Sequence, residues 1–343
     1  MFKEVIDGGH LHMLKYFETL KPPRLPSPNN IYYFRSLKSP KIVQILQFFV
    51  DHGIALHGLV ADRVARDGRL DILERFSSHL NLSIVGMQKA AENGHRHILE
   101  YVINTRPYLQ FNSSVANWAA SGGHIDILDL LESLNPPIRA DLNGANLASQ
   151  NGHLEILRRL RSYTPSVVPT QAGIGCAIKN GHLHIVQEFG MPHLLNIVPT
   201  FTAPANGHVH ILQYLNTLNP PYICTDGDLS EAAKNGRVNV LEYLESLPTP
   251  IRPINNNVVM VAACNGHLNV IKYFDKLSLE KNIHPPIRCT SNELDAAIEF
   301  GHTDIAIHIL NYTPPVYPSR EGITLAYIKQ MIEVIERLEQ LGV

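Results

Sequence analysis

The stretch Ala262-Ala263-Cys264-Asn265-Gly266-His267, with the run Leu268 to Phe274 behind it, decides the fold. Val270, Ile271 and Phe274 stand four, five and eight residues after Gly266. That spacing lays one apolar stripe along a helix. Before the glycine, Ala262 and Ala263 are small enough to let a second helix approach closely. Asn-Gly after a helical run reads as a left-handed helix end. The stretch therefore predicts helix, tight turn, helix.

The same pattern recurs along the chain. Its glycine falls at Gly9, Gly68, Gly94, Gly123, Gly152, Gly181, Gly207, Gly236, Gly266 and Gly301. The step from Gly9 to Gly68 holds two units, the second degenerate, with Lys41 near the glycine position. The step from Gly266 to Gly301 holds one unit with six extra residues, within LSLEKNIHPP. A last unit places Gln330 at the glycine position and Val334, Ile335 and Leu338 in the core. About twelve units of roughly 29 residues signal a solenoid. The expected fold is all-α, a helix-turn-helix solenoid forming one repeat domain. Residues 1–60 are its degenerate N-terminal repeats, 61–312 its regular repeats and 313–343 a C-terminal cap.

Proline pairs close the second helices, as in Lys21-Pro22-Pro23, Asn135-Pro136-Pro137, Asn219-Pro220-Pro221, His284-Pro285-Pro286 and Thr313-Pro314-Pro315. Proline cannot continue a helix. Consecutive prolines predict a stiff polyproline-II joint. The segment Tyr327 to Leu341 reads as one long amphipathic capping helix, with Glu333, Glu336, Arg337, Glu339 and Gln340 outward.

Ala232-Ala233-Lys234-Asn235-Gly236 and Ala262-Ala263-Cys264-Asn265-Gly266-His267 resemble the core of the ankyrin repeat. The resemblance is reiterated over nearly the whole chain. The units run about 29 residues where ankyrin repeats run about 33, and the T-P-L-H signature is absent. The β-hairpin fingers are thus expected to be shortened or missing. The resemblance implies a non-catalytic scaffold, a monomer that binds a partner protein along the concave first-helix face. It carries that role to the residue two before each glycine: Arg66, Glu92, Ser121, Gln150, Lys179, Ala205, Lys234, Cys264 and Glu299. These vary in charge and size while the stripe stays apolar.

Composition sets the remaining expectations. The formal net charge of -2 argues against neutralising a phosphate backbone, so no nucleic-acid partner is expected. Four cysteines with no close pair suit a reducing, intracellular compartment rather than a disulfide scaffold. No apolar run is long enough to span a membrane, and the first residues show no apolar leader. Of the 18 histidines, eight directly follow a repeat glycine, so they belong to the repeat. Pairs such as His95/His97 are two apart on a helix and diverge, which predicts no metal site. No P-loop, nucleophile elbow or zinc-protease motif occurs, so neither enzyme activity nor a cofactor is expected. Trp118, the only tryptophan, sits at a core position of a first helix, with an interaction role as the alternative. Two further readings stay open: a secreted, host-directed effector, and a repeat-scaffolded enzyme with a thiol nucleophile.

Overall fold

The computed structural model describes residues 2–27, 37, 41–56, 58–106, 110–190, 202–219, 221–253, 256–283 and 286–343. The first helix expected for the degenerate unit, Pro220, and His284-Pro285 lie outside them. Every regular element among the described residues is a helix. The chain divides into two compact units, 1–174 and 175–343. Each is a stack of helix pairs.

The pair around Gly123 shows how the sequence builds a repeat. Asn112 opens the first helix, Ser113–Gly122, and its side chain accepts from the Ser114 N–H. Such a cap stabilises a helix by about 1 kcal/mol. Val115, Ala116, Ala119 and Ala120 are buried. The three alanines let this helix lie close against its neighbours Ile84–Glu92 and Leu142–Asn151. Gly123 then takes φ 81°, which glycine adopts without Cβ strain. The His124 N–H returns to the Ala119 carbonyl at 3.0 Å and closes the helix end. The second helix, Ile125–Glu132, buries Ile127, Leu128 and Leu131 completely. Each such side chain contributes about 1.5–3 kcal/mol. The same positions are buried as Ile98, Leu99 and Val102, and as Val240, Leu241 and Leu244.

Two expectations are corrected. First, the proline joints are hooks rather than stiff extended crossings. The bond before the first proline is cis at Lys21-Pro22, Asn135-Pro136, Thr164-Pro165 and Thr313-Pro314. The chain then turns back on its own second helix: Ile138, Val167 and Tyr222 N–H donate to the carbonyls of Leu131, Leu160 and Leu215 at 3.0, 3.1 and 3.0 Å. Second, the C-terminal segment is two helices, Arg320–Ile328 and Ile332–Gln340. Gln330 between them takes φ 54°, the left-handed conformation glycine supplies elsewhere. Lys41, expected near the glycine position, directly precedes helix Ile42–Asp51, and Ile45, Leu46 and Phe49 are buried four, five and eight residues after it.

The entrances to six of the described first helices are built in one of two ways. In the first, an Asn or Asp of the preceding repeat reaches across. Asp62 accepts from Ser83 N–H and hydroxyl at 3.0 and 2.8 Å. Asn117 accepts from Asp141 N–H at 2.9 Å, Asn146 from Thr170 N–H at 2.8 Å, and Asp295 from Ser319 N–H at 2.9 Å. In all four a glycine sits where that side chain arrives. A Cβ on Gly86, Gly144, Gly173 or Gly322 would lie 2.1–2.6 Å from the crossing oxygen. In the second, the helix caps itself. Asp228 and Glu293, both buried, accept from the N–H of Thr225 and Thr290 at 2.7 Å. These are reciprocal capping boxes, and they need no glycine.

Candidate functional site

The histidine after each repeat glycine occupies the position just before the second helix, yet its ring does not cap that helix. It reaches back one repeat. His95 Nε2 lies 2.9 Å from the Arg66 carbonyl, and His124 Nε2 3.0 Å from that of Glu92. His208 meets the Lys179 carbonyl at 2.9 Å, and His302 that of Cys264 at 3.1 Å. A carbonyl only accepts, so Nε2 carries the proton. Where arginine replaces histidine the bond persists: Arg237 Nε donates to the Ala205 carbonyl at 3.1 Å.

A parallel row engages the glycine itself. His97 and His210 Nε2 lie 3.0 Å from the Gly68 and Gly181 carbonyls. Asn239 and Asn269 donate to those of Gly207 and Gly236 at 2.8 and 3.0 Å. The histidine pairs are therefore double staples. The His95 and His97 rings stand edge to face, 5.8 Å apart, each on its own carbonyl. Among the described residues no cluster of three His, Cys, Asp or Glu is placed to hold a metal ion. Burial pushes His95 and His208 below the ordinary histidine range, which favours the neutral ring.

This ladder places the face residues expected from the sequence. Each carbonyl it grips belongs to the residue two before a glycine, so the backbone is fixed while the side chain varies. Arg66 Nε donates to Asp67 at 2.8 Å. Glu92 pairs with Lys89 at 2.6 Å, and Lys234 lies 3.7 Å from Glu231. Gln150, Lys179 and Glu299 are exposed. Ser121 departs from the rest. It is buried, and its carbonyl and hydroxyl accept from Asn151 at 2.9 and 3.0 Å. Its role is to join repeats. Cys264 is half-buried, and burial raises its thiol pKa.

A second position on the first helices lies five before the glycine, where the sequence favoured a core role for Trp118 with an interaction role as the alternative. That position carries Arg63, Lys89 and Trp118 in three successive repeats of the first unit. Lys89 Nζ lies 4.4 Å from the Trp118 ring centroid. Trp118 is half-buried rather than wholly in the core. The sequence signal was present in the charge of the halves. Residues 1–174 hold 18 Lys and Arg against 15 Asp and Glu, whereas residues 175–343 hold 11 against 16.

A thiol nucleophile finds no support. Burial pushes Cys224 up to about 11 and Cys289 higher still, so both are protonated at neutral pH.

No family model and no curated protein matches the chain. Among solved structures it is similar to the pentatricopeptide repeat protein PPR10 in complex with an 18-nt psaJ RNA element, at 11% identity and TM-score 0.45. A second form of that complex matches equally. PPR10 from maize matches at 12% identity and TM-score 0.32. All three alignments cover 99% of this chain, which spans 58% of the length of the two complexes and 62% of the third structure. This chain is an all-α helical-repeat protein. The likeness is one of fold.

Two expectations fall to that comparison. Two of these solved structures hold a helical-repeat protein in complex with an RNA element, whereas a protein partner and no nucleic acid were expected for this chain. The protein-partner scaffold and the exclusion of nucleic acid are both withdrawn. The net charge of -2 averages two halves of opposite sign. No helix among the described residues is long and apolar enough to cross a membrane.

Proposed function

We propose that the first-helix face of residues 58–122 binds single-stranded nucleic acid, without catalysis. The observation that carries this reading is the shared repeat position of Arg63, Lys89 and Trp118, in the half of the chain with a cationic excess. Single strands are held by cations that track phosphates and by aromatic faces on which bases stack, at about 1–3 kcal/mol per stacked base. Lys89 rests on the Trp118 ring in the free protein. A base takes its place on the ring, and the ammonium moves to the adjoining phosphate. The ladder supports this by fixing each first helix in register with the next. A divergent ankyrin-type repeat remains part of the proposal, supported by the recurring Ala-Ala-x-Asn-Gly-His core.

Trp118 is the only tryptophan, so its fluorescence reports on the site directly. Titration with short oligouridine or oligothymidine is expected to quench it saturably, and more weakly at raised salt. Lys89→Glu should lower affinity roughly tenfold and reduce the salt slope by about one. Unchanged tryptophan emission, together with unchanged anisotropy of labelled oligonucleotides, refutes the proposal.

A further inference from the structure

The six extra residues of the Gly266 repeat have a structural counterpart. Its second helix, Leu268–Glu280, has 13 residues where that of the Gly236 repeat has nine. The helix lengthens beside a polar cluster that also occurs in the first unit. There, the Tyr163 hydroxyl donates to Glu132, Arg159 pairs with the same carboxylate at 3.1 Å, and the Arg139 guanidinium lies 5.3 Å from the Tyr163 ring centroid. In the second unit the matching positions hold Asp275, His308, Tyr312 and Arg288. The Tyr312 hydroxyl and His308 Nε2 each lie 2.8 Å from the Asp275 carboxylate. The Arg288 guanidinium sits 3.9 Å from the Tyr312 ring centroid.

Next to the second cluster lies a cavity of about 550 Å³. Arg288, His308 and Tyr312 line one side, and Leu279, Ile283 and Pro286 another. The volume is that of a small-molecule site, where ligands occupy roughly 300–1,000 Å³. Three features define its chemistry. Both Asp275 oxygens already accept from Tyr312, and one also meets His308, so this carboxylate is engaged within the cluster. Arg288 spends one Nη donor on the Thr313 carbonyl, at 3.2 Å. Its other guanidinium N–H groups meet no acceptor among the described residues. Leu279 is 83% exposed, at the end of the helix on the cavity's apolar side. A planar cation with accessible donors beside an exposed apolar wall fits an amphiphilic anion.

We infer that this cavity binds a small molecule with a carboxylate or phosphate head and an aliphatic tail. The head engages Arg288, and the tail covers Leu279, Ile283 and Pro286. This site lies in the second unit and stands independently of nucleic-acid binding by the first.

The test is calorimetric titration of the full chain with decanoate, decyl phosphate and 1-decanol. Saturable binding of at least one anion, tighter than decanol, is expected, and the tighter anion identifies the head group. Arg288→Gln should weaken the anions roughly tenfold and abolish their advantage over decanol. Leu279→Trp, which alters an exposed side chain and retains the fold, should fill the cavity and abolish binding. Arg139→Gln, at the matching position in the first unit, should leave binding unchanged. Absence of saturable binding, decanol binding as tightly as both anions, or undiminished binding by Leu279→Trp overturns the inference.

Discussion

Replacing Gly94 by alanine separates two demands that the repeat places on one residue. Gly94 has φ 77°, and a Cβ there would lie 2.6 Å from His124 Cε1. The left-handed backbone alone costs an L-residue about 1–2 kcal/mol. Forcing a methyl group into the histidine ring adds about 1–3 kcal/mol of overpacking. Gly94→Ala is therefore expected to destabilise the first unit by roughly 2–5 kcal/mol. Gly53, in the same unit, has φ 64°, and a Cβ there would meet nothing within 4 Å. Gly53→Ala should show only the backbone cost, about 1–2 kcal/mol. His124→Ala removes the ring and leaves the Glu92 carbonyl without its donor, a loss of about 1–3 kcal/mol. In that background Gly94→Ala should fall to the backbone cost alone. The cycle is read by urea unfolding, followed by far-UV circular dichroism at about pH 8, where histidine is neutral. Equal costs for Gly94→Ala with and without His124, or equal costs for Gly94→Ala and Gly53→Ala, would refute the claim that glycine is there for the next repeat's ring.

Two more outcomes follow from the same geometry. Asn117 reaches into the space left by Gly144, whose Cβ would lie 2.6 Å from its Oδ1. Gly144→Ala should thus cost roughly 1–3 kcal/mol in the parent and less with Asn117→Ala, which leaves only the tighter approach to Ala140 Cβ at 2.9 Å and residue 117 Cα at 3.2 Å, measured by urea midpoint. The folded-state pKa values of His95 and His208 lie below the ordinary 6.5, chiefly through burial. The unfolded chain then binds protons more readily, so their contribution is full above pH 6.5 and is lost as pH falls below it. His52 acts in the opposite sense. Its pKa is raised chiefly by the hydrogen bond with Glu18, so its contribution is full below 6.5 and lost as pH rises through the folded value. His52→Ala should therefore steepen the acid loss in urea midpoints between neutral and mildly acidic pH, and a flatter profile would contradict this balance.

The helix pair was legible because its determinants are local. Glycine, the alanines before it and the apolar stripe after it all act within a single unit. The histidine was legible as a repeat residue, but not as a bond to the preceding unit. Its acceptor is a backbone carbonyl, which leaves no mark in the side-chain pattern. Ser121 misled for the same reason: its burial depends on Asn151, one repeat later. Gly173, too, is explained only across the joint, as the clearance for Asn146 of the preceding repeat. The cationic strip went unread because Arg63, Lys89 and Trp118 are ordinary residues singly, and only the stacking of first helices makes them neighbours.

The two ways of opening a first helix make the repeats behave like dominoes with two kinds of edge. A unit that begins with Gly144 or Gly173 leaves a notch, and only a preceding unit carrying asparagine or aspartate at the crossing position fills it. The unit that begins with Glu293 brings its own carboxylate, and the repeat before it carries Met260 at that position. Copies of this motif are thus similar in shape without being interchangeable in order. Duplication or exchange of a unit preserves the array only where the edges match, so the present succession of repeats records which joins the chain has been able to make.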